Sequence, residues 1–207
     1  MNEKFFSLPL DKQEKIINAG FRVFSQNSYK KSPMSEIASE AGISKSLLFH
    51  YFRNKKELYL FLWDKMEEIS LTELEKSGCY EQKDLFDTMA KGFRAKINIM
   101  RRYPDLGAFS LKGYYETDPE VSADIQKSLA KYVSYRSYGR QLNMNPEQFI
   151  PGLDLEMMYL DMYWAAEGYI WEKIQLGIID VDEIERDFSR LLDFWKFVYM
   201  RKETPTS

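Results

Sequence analysis

The chain's single histidine, His50, stands in the run Phe49-His50-Tyr51-Phe52-Arg53-Asn54-Lys55-Lys56, and Ser44-Lys45-Ser46 lies just upstream. Hydroxyl, imidazole and cationic groups at this density suit one chemistry: non-covalent contact with phosphate oxygens and base edges. A solvated helix face has no need of Phe49, His50 and Tyr51 in succession, whereas a phosphate-facing surface does. Covalent chemistry finds little to work with elsewhere. No histidine-based triad can form away from His50, and one histidine with one cysteine excludes metal sites built from such clusters. No glycine loop that could cradle a phosphate is present. The carboxylates Asp180, Asp182, Glu183, Glu185 and Asp187 crowd a helix start, where the helix dipole accounts for them. The expectation is a protein with no catalytic residue, no metal and no cofactor.

The elements that must position this run are short. Ile37, Ala38 and Ala41 share one face of a helix. Gly42 then supplies a residue that tolerates positive φ, and Ser44 is a good N-cap for the next helix. Leu48 and Phe52, four apart, point inward, which leaves Ser44, Lys45, Ser46, Leu47, Phe49, His50 and Tyr51 to face outward or sideways. Two short helices joined by a glycine-containing turn form the helix-turn-helix plan, whose second helix enters the DNA major groove. By spacing alone an ordinary αα-hairpin fits as well. Charge separates the two readings. Residues 1–56 hold 10 Lys or Arg against 5 Asp or Glu, a net +5, while residues 57–207 hold 19 against 27, a net −8. A basic quarter on an acidic body is the footprint of a small DNA-reading head, although the whole chain carries −3.

These residues carry a resemblance. Ile37-Ala38, Ala41-Gly42-Ile43-Ser44-Lys45, Leu48-Phe49-His50-Tyr51-Phe52 and Lys55-Lys56-Glu57-Leu58 resemble the signature of TetR-family transcriptional regulators over about 25 positions. The rest of the chain is similar to that family only in length and helical character. The resemblance implies that Lys45 and Ser46 lie nearest the base edges, with Lys45 on guanine O6 and N7. Leu47 and Phe49 would offer apolar contact to a thymine methyl, and His50, Tyr51 and Lys55 would meet phosphates. Ser35, in the preceding helix, belongs to the same implied DNA-facing set, and Ser44 serves either as cap or as contact. Two departures matter: the family commonly has tyrosine where Phe49 stands, so a polar contact is lost, and usually glycine or another small residue where Ser46 stands, so the serine would slightly alter which base is read.

Stepping along the chain, Pro9 suits a helix start, and Ile16, Ala19, Gly20, Val23 and Phe24 repeat at helical spacing to about Gln26. Residues 1–8 are expected to be loose. Asn27 is expected in the left-handed region at the helix end, Tyr29 as a core anchor, and Ser32-Pro33 as cap and first residue of the next helix. Asn54 and Glu57 read as a capping box opening a longer helix to about Lys76. Further helices are expected over 83–102, 105–113, 118–142, 154–176 and 182–201, punctuated by Tyr103-Pro104, Asp118-Pro119, Pro146, Pro151 and Gly177. The fold class predicted is all-α, about nine helices: a three-helix head over 1–54 and a helical ligand-binding and dimerisation body over 55–207.

Hydrophobic residues make up 44% of the 207, ample for a core, and charged residues 29%. No apolar run approaches the ~20 residues that span a bilayer. No basic segment followed by an apolar stretch opens the chain, and Cys79 alone cannot form an internal disulfide. These features together favour the cytoplasm. The resemblance further implies a homodimer through the last two long helices, a double-stranded DNA operator as partner and a small-molecule effector. Trp171, Phe194 and Trp195 are expected as buried dimer anchors, with Ala165, Ala166 and Gly168 allowing close approach. Met66, Phe93, Ile97, Phe109, Tyr132, Tyr163 and Glu167 are the candidate pocket residues. Aromatic stripes at helical spacing also fit plain core.

Overall fold

This computed structural model describes residues 3–82, 84–139, 144–177 and 179–202, without the side chains of 131–139. Ten α-helices run among the described residues: α1 (Glu3–Phe6), α2 (Leu10–Gln26), α3 (Met34–Glu40), α4 (Lys45–Tyr51), α5 (Lys55–Ser77), α6 (Leu85–Arg102), α7 (Leu106–Tyr114), α8 (Ser122–Gly139), α9 (Leu155–Leu176) and α10 (Val181–Tyr199). Their only sheet-like pairing is an isolated antiparallel bridge between Phe149 and Met200. No helix of the described residues is long and apolar enough to cross a membrane. The chain divides into two compact units, Met1–Leu71 with Ile99–Val133, and Thr72–Asn98 with Ser134–Ser207.

The first unit is built on α2, which buries Ile16, Ile17, Ala19, Phe21, Val23 and Phe24 and packs on α3 and α7. Met34, Ile37 and Ala38 of α3, Leu48 of α4 and Leu58, Tyr59, Phe61, Leu62 and Trp63 of α5 close the same core. Burying each such side chain favours folding by ~1.5–3 kcal/mol. Phe109 of α7 sits among the rings of Phe21, Tyr59 and Trp63, with centroids 5.1, 5.4 and 6.1 Å away. The α5–α7 approach depends on Gly113, where any Cβ would collide with the indole of Trp63. Residues 1–54 therefore share their core with α7 and the first half of α5.

The second unit centres on Leu85, Phe86, Phe93 and Ile97 of α6, Met158 and Met162 of α9, and Ile184, Phe188 and Trp195 of α10. Phe93 stacks on Phe188 at 3.5 Å. Asp154 Oδ1 accepts from Met157 N at 3.0 Å, and Asp180 Oδ1 from Asp182 N and Glu183 N, so an aspartate starts each of the last two helices. Polar pairs then tie α9 to α10: the Tyr169 hydroxyl donates to Asp187 at 2.8 Å, and the Tyr199 hydroxyl to Asp161 at 2.9 Å. Burial, and next to it the Asp187 carboxylate, push the Tyr169 phenol well above its ordinary range.

Four expectations change. Residues 3–6 form α1 instead of a loose end, because Phe5 is fully buried and Gln13 Nε2 donates to the carbonyls of Phe6 and Leu8. Ser32 does not cap α3: its buried hydroxyl donates to Ser28 O at 3.0 Å and Val23 O at 3.4 Å, holding the loop onto α2. Asn27 is extended (φ −129°), and every described residue with positive φ is a glycine. The helix expected from Asp118-Pro119 begins at Ser122 after a turn held by Asp118; its expected end at 140–142 lies outside the described residues. Tyr29 is buried, as its anchoring role requires.

Candidate nucleic-acid interface

α3 ends in a hydrogen-bonded reversal that sets the angle of α4. Gly42 N–H donates to Ser39 O at 3.0 Å and Ile43 N–H to Ala38 O at 2.9 Å, the paired bonds of a Schellman end. Gly42 takes φ +68° with nothing near a would-be Cβ, so the backbone conformation alone demands glycine. Two residues on, Ser44 caps α4: its Oγ accepts from Leu47 N at 3.1 Å and lies 3.0 Å from Ser46 Oγ. The Ser46 hydroxyl is therefore held toward the cap at the start of the helix.

α4 is only seven residues long, too short to persist without tertiary anchors. Its anchors are Leu48, Tyr51 and the following Phe52, all buried. Lys45, Ser46, Leu47, Phe49 and His50 line the exposed side, with Ser35 exposed on α3. Lys45 Nζ stands 5.9 Å from the Phe49 ring centroid. This surface joins a cation, a hydroxyl, an imidazole and two apolar groups, a set whose hydrogen-bonding and apolar chemistry fits base edges in a major groove.

Two of the expected contact residues point elsewhere. Tyr51 is turned inward at 8% exposure, because positions 51 and 52 both follow Leu48 by one helical turn and share its face. Lys55 is engaged within the chain: Nζ donates to Tyr29 O at 2.9 Å and Lys30 O at 3.1 Å and lies 4.5 Å from the Tyr29 ring centroid. On the other side of the same loop, Tyr29 N–H donates to Glu116 Oε2 at 2.8 Å. An acid and a base thus grip the two peptide groups that flank the Tyr29 Cα, ahead of α3. Burial, reinforced by the Glu120 carboxylate, pushes the Tyr29 phenol well above its ordinary range. No spacing rule signals Glu116, which lies 87 residues from its partner. Lys30, Lys31, Lys45 and Arg53 are exposed around α3 and α4, as is Arg22, which pairs with Glu40 of α3 at 2.7 Å.

α5 opens with a variant of the expected capping-box-like arrangement, in which the Glu57 side chain reaches the N–H one residue ahead of the Asn54 cap. Glu57 N–H donates to Asn54 Oδ1 at 2.8 Å, and Arg53 N–H donates to Glu57 Oε2 at 2.7 Å. Burial works to raise the Glu57 carboxyl, but the Arg53 N–H bond is among the effects that outweigh it, and the group lies below its ordinary value.

The candidate pocket residues divide between the units. Met66 and Phe109 are buried in the core of the first unit; Phe93 and Ile97 are buried in the second. Tyr163 is half-buried, and Glu167 is exposed, 3.6 Å from Lys96 Nζ. The Tyr132 side chain lies outside the described residues. In the second unit Trp195 does not serve a partner: it is buried edge-on to Phe188. Trp164, Trp171, Phe194 and Phe197 are exposed, with Phe197 at 69%. Met157, Trp164 and Trp171 recur every seven residues along one side of α9, the pattern of a covered stripe, of which the sequence reading singles out Trp171.

Comparison with known proteins gives the same picture. Residues 16–61 match the family described as bacterial regulatory proteins, tetR family. The chain is 29% identical over 93 residues to the HTH-type transcriptional regulator RutR of Escherichia coli (strain K12), covering 45% of this chain and 43% of that protein. It is 38% identical over 126 residues to the HTH-type transcriptional activator FasR of Mycolicibacterium smegmatis, covering 60% and 57%. The chain thus matches less than two thirds of the length of these relatives. A TetR family transcriptional regulator from Chloroflexus aurantiacus has the same fold, with TM-score 0.65, 20% identity and coverage of 97% and 99%.

Proposed function

We propose, from this chain's membership of the TetR family of bacterial transcriptional regulators, that it binds DNA as a homodimer and represses from a near-palindromic operator until a small hydrophobic or aromatic ligand releases it. The observation that carries the reading is the exposed set Lys45, Ser46, Leu47, Phe49 and His50 on a capped, core-anchored α4. Lys45 and Ser46 read base edges, Leu47 and Phe49 meet thymine methyls, and His50 and Ser35 meet phosphate. Functionally, residues 1–54 read DNA and 55–207 sense and dimerise, and the place of action is the cytoplasm. The exposed aromatic stripe of α9 and α10 supports dimerisation, which would set two recognition helices about 34–36 Å apart, one turn of DNA.

Selecting bound sequences from random duplex DNA with the purified protein tests this reading. Two half-sites one helical turn apart should be enriched, and affinity should fall ~10³–10⁵ between 50 and 200 mM salt. Enrichment of no sequence, or salt-independent binding, would overturn it. A second reading, constitutive DNA binding with a body that only dimerises, is favoured by the packing of Phe109 and Phe93 against neighbouring rings. It requires that no small molecule shift operator affinity, whereas the first reading requires that one does. The same assay in cells decides the sign of regulation, since FasR is described as an activator.

A further inference from the structure

The short helix α1 contributes one side chain to the interface without lying on it. Phe5 is fully buried. Its ring centroid lies 6.1 Å from that of Tyr51, 5.1 Å from Phe52 and 5.1 Å from Phe61. Tyr51 and Phe52 are two of the three anchors of α4, so Phe5 backs the C-terminal end of the proposed recognition helix while Leu48 holds its middle. Phe5 is itself fixed: Leu8 N–H donates to Phe5 O at 3.1 Å, Ser7 N–H to Glu3 O at 3.1 Å, and Gln13 of α2 donates to the carbonyls of Phe6 and Leu8. Phe6, its neighbour, is half exposed and reaches Phe61 but neither Tyr51 nor Phe52.

A helix of seven residues takes its orientation from tertiary contacts rather than its own hydrogen bonds. Base reading depends on side chains held to within a fraction of an ångström by supporting packing, whereas attraction to phosphates varies slowly with position. We infer that Phe5 is a positioning residue for sequence reading: through Tyr51 and Phe52 it sets the tilt at which α4 meets base edges, and it touches no DNA itself. This rests on the DNA-binding reading above.

The test uses the full chain, a duplex selected with the wild-type protein and a random-sequence duplex of equal length. Phe5→Ala should weaken the selected duplex about tenfold, the scale of one base contact. It should leave the random duplex and the salt slope within about twofold of wild type. Phe5→Leu, which keeps an apolar plug without ring edges against Tyr51 and Phe52, should show a smaller loss with the same selectivity. Phe6→Ala should bind both duplexes as wild type does. Equal losses on both duplexes, or no loss on either, would overturn the inference, since a residue that only fills core cannot change their ratio. If circular dichroism shows Phe5→Ala unfolded at the assay temperature, Phe5→Leu decides by the same ratio. Failure of the wild type itself to select any sequence would instead sink the DNA-binding reading.

Discussion

Two lysines ten residues apart, both expected to meet DNA, have different surroundings. Lys45 is exposed at the start of α4, and Lys55 spends its charge on the carbonyls of Tyr29 and Lys30. Lys45→Ala should therefore cost ~1–3 kcal/mol on the selected duplex, relax preference at one base and leave stability unchanged. Lys55→Ala should lower unfolding stability in urea by ~1–2 kcal/mol, the scale of charge-assisted hydrogen bonds with a cation–π contact. A stability change for Lys45→Ala and none for Lys55→Ala would reverse the assignment. Glu57 gives a pH signature. Its folded carboxyl lies below the ordinary value, so the stability it adds is complete above the unfolded value and is lost as pH falls through the folded one. The thermal midpoint gap between wild type and Glu57→Gln should be widest near neutrality and close in acid; a constant gap would rule out ionisation as its source. At this scale the sequence showed the caps, because Ser44, Asn54 and Glu57 act within four residues. It concealed Tyr51 and Lys55, whose partners come from α1 and from the loop at Tyr29. The inward turn of Tyr51 was nonetheless readable, since it follows Leu48 by three.

Among the elements, those with a polar start and a glycine end were legible to within a residue or two. α9 begins at Asp154 and ends at Gly177 (φ +66°), and α10 begins at Asp180, all visible as residue types. α1 was not, because four residues carry no periodicity and their helix exists through tertiary contacts, the burial of Phe5 and the bonds from Gln13. The loop at Ser32 misled for a physical reason: a serine before proline can cap forward or bond backward, and only the positions of the Val23 and Ser28 carbonyls decide. The contact of α7 with α5 is equally a tertiary matter. Gly113→Ala should destabilise by ~1–3 kcal/mol, because the methyl must displace the Trp63 indole. The change should appear as a lower urea midpoint with altered tryptophan fluorescence. An unchanged midpoint would mean that the α5–α7 spacing yields without cost.

For the whole molecule, the order of the chain and the order of packing differ. Residues 99–133 share a compact unit with residues 1–71, although sequence composition suggested a boundary near residue 54. Nothing local marks this, since Phe109 and Leu106 look like any other apolar pair until their neighbours are known. The exposed aromatics of α9 and α10 bear on the proposed homodimer. Trp164→Asp with Phe197→Asp should turn a dimer into a monomer by sedimentation and abolish enrichment of paired half-sites. A dimer that survives both changes would place the interface elsewhere.

The backbone of Tyr29, its N–H held by Glu116 and its C=O by Lys55, has a kinetic corollary. An amide proton that is buried and bonded to a carboxylate exchanges with solvent only when that bond opens. In deuterium the Tyr29 proton should outlast its neighbours at Ser28 and Lys30, and Glu116→Ala should accelerate it selectively. One slow proton, followed by NMR, would then report how readily the segment carrying Glu116 lets go of the loop that leads into the proposed DNA-reading helices.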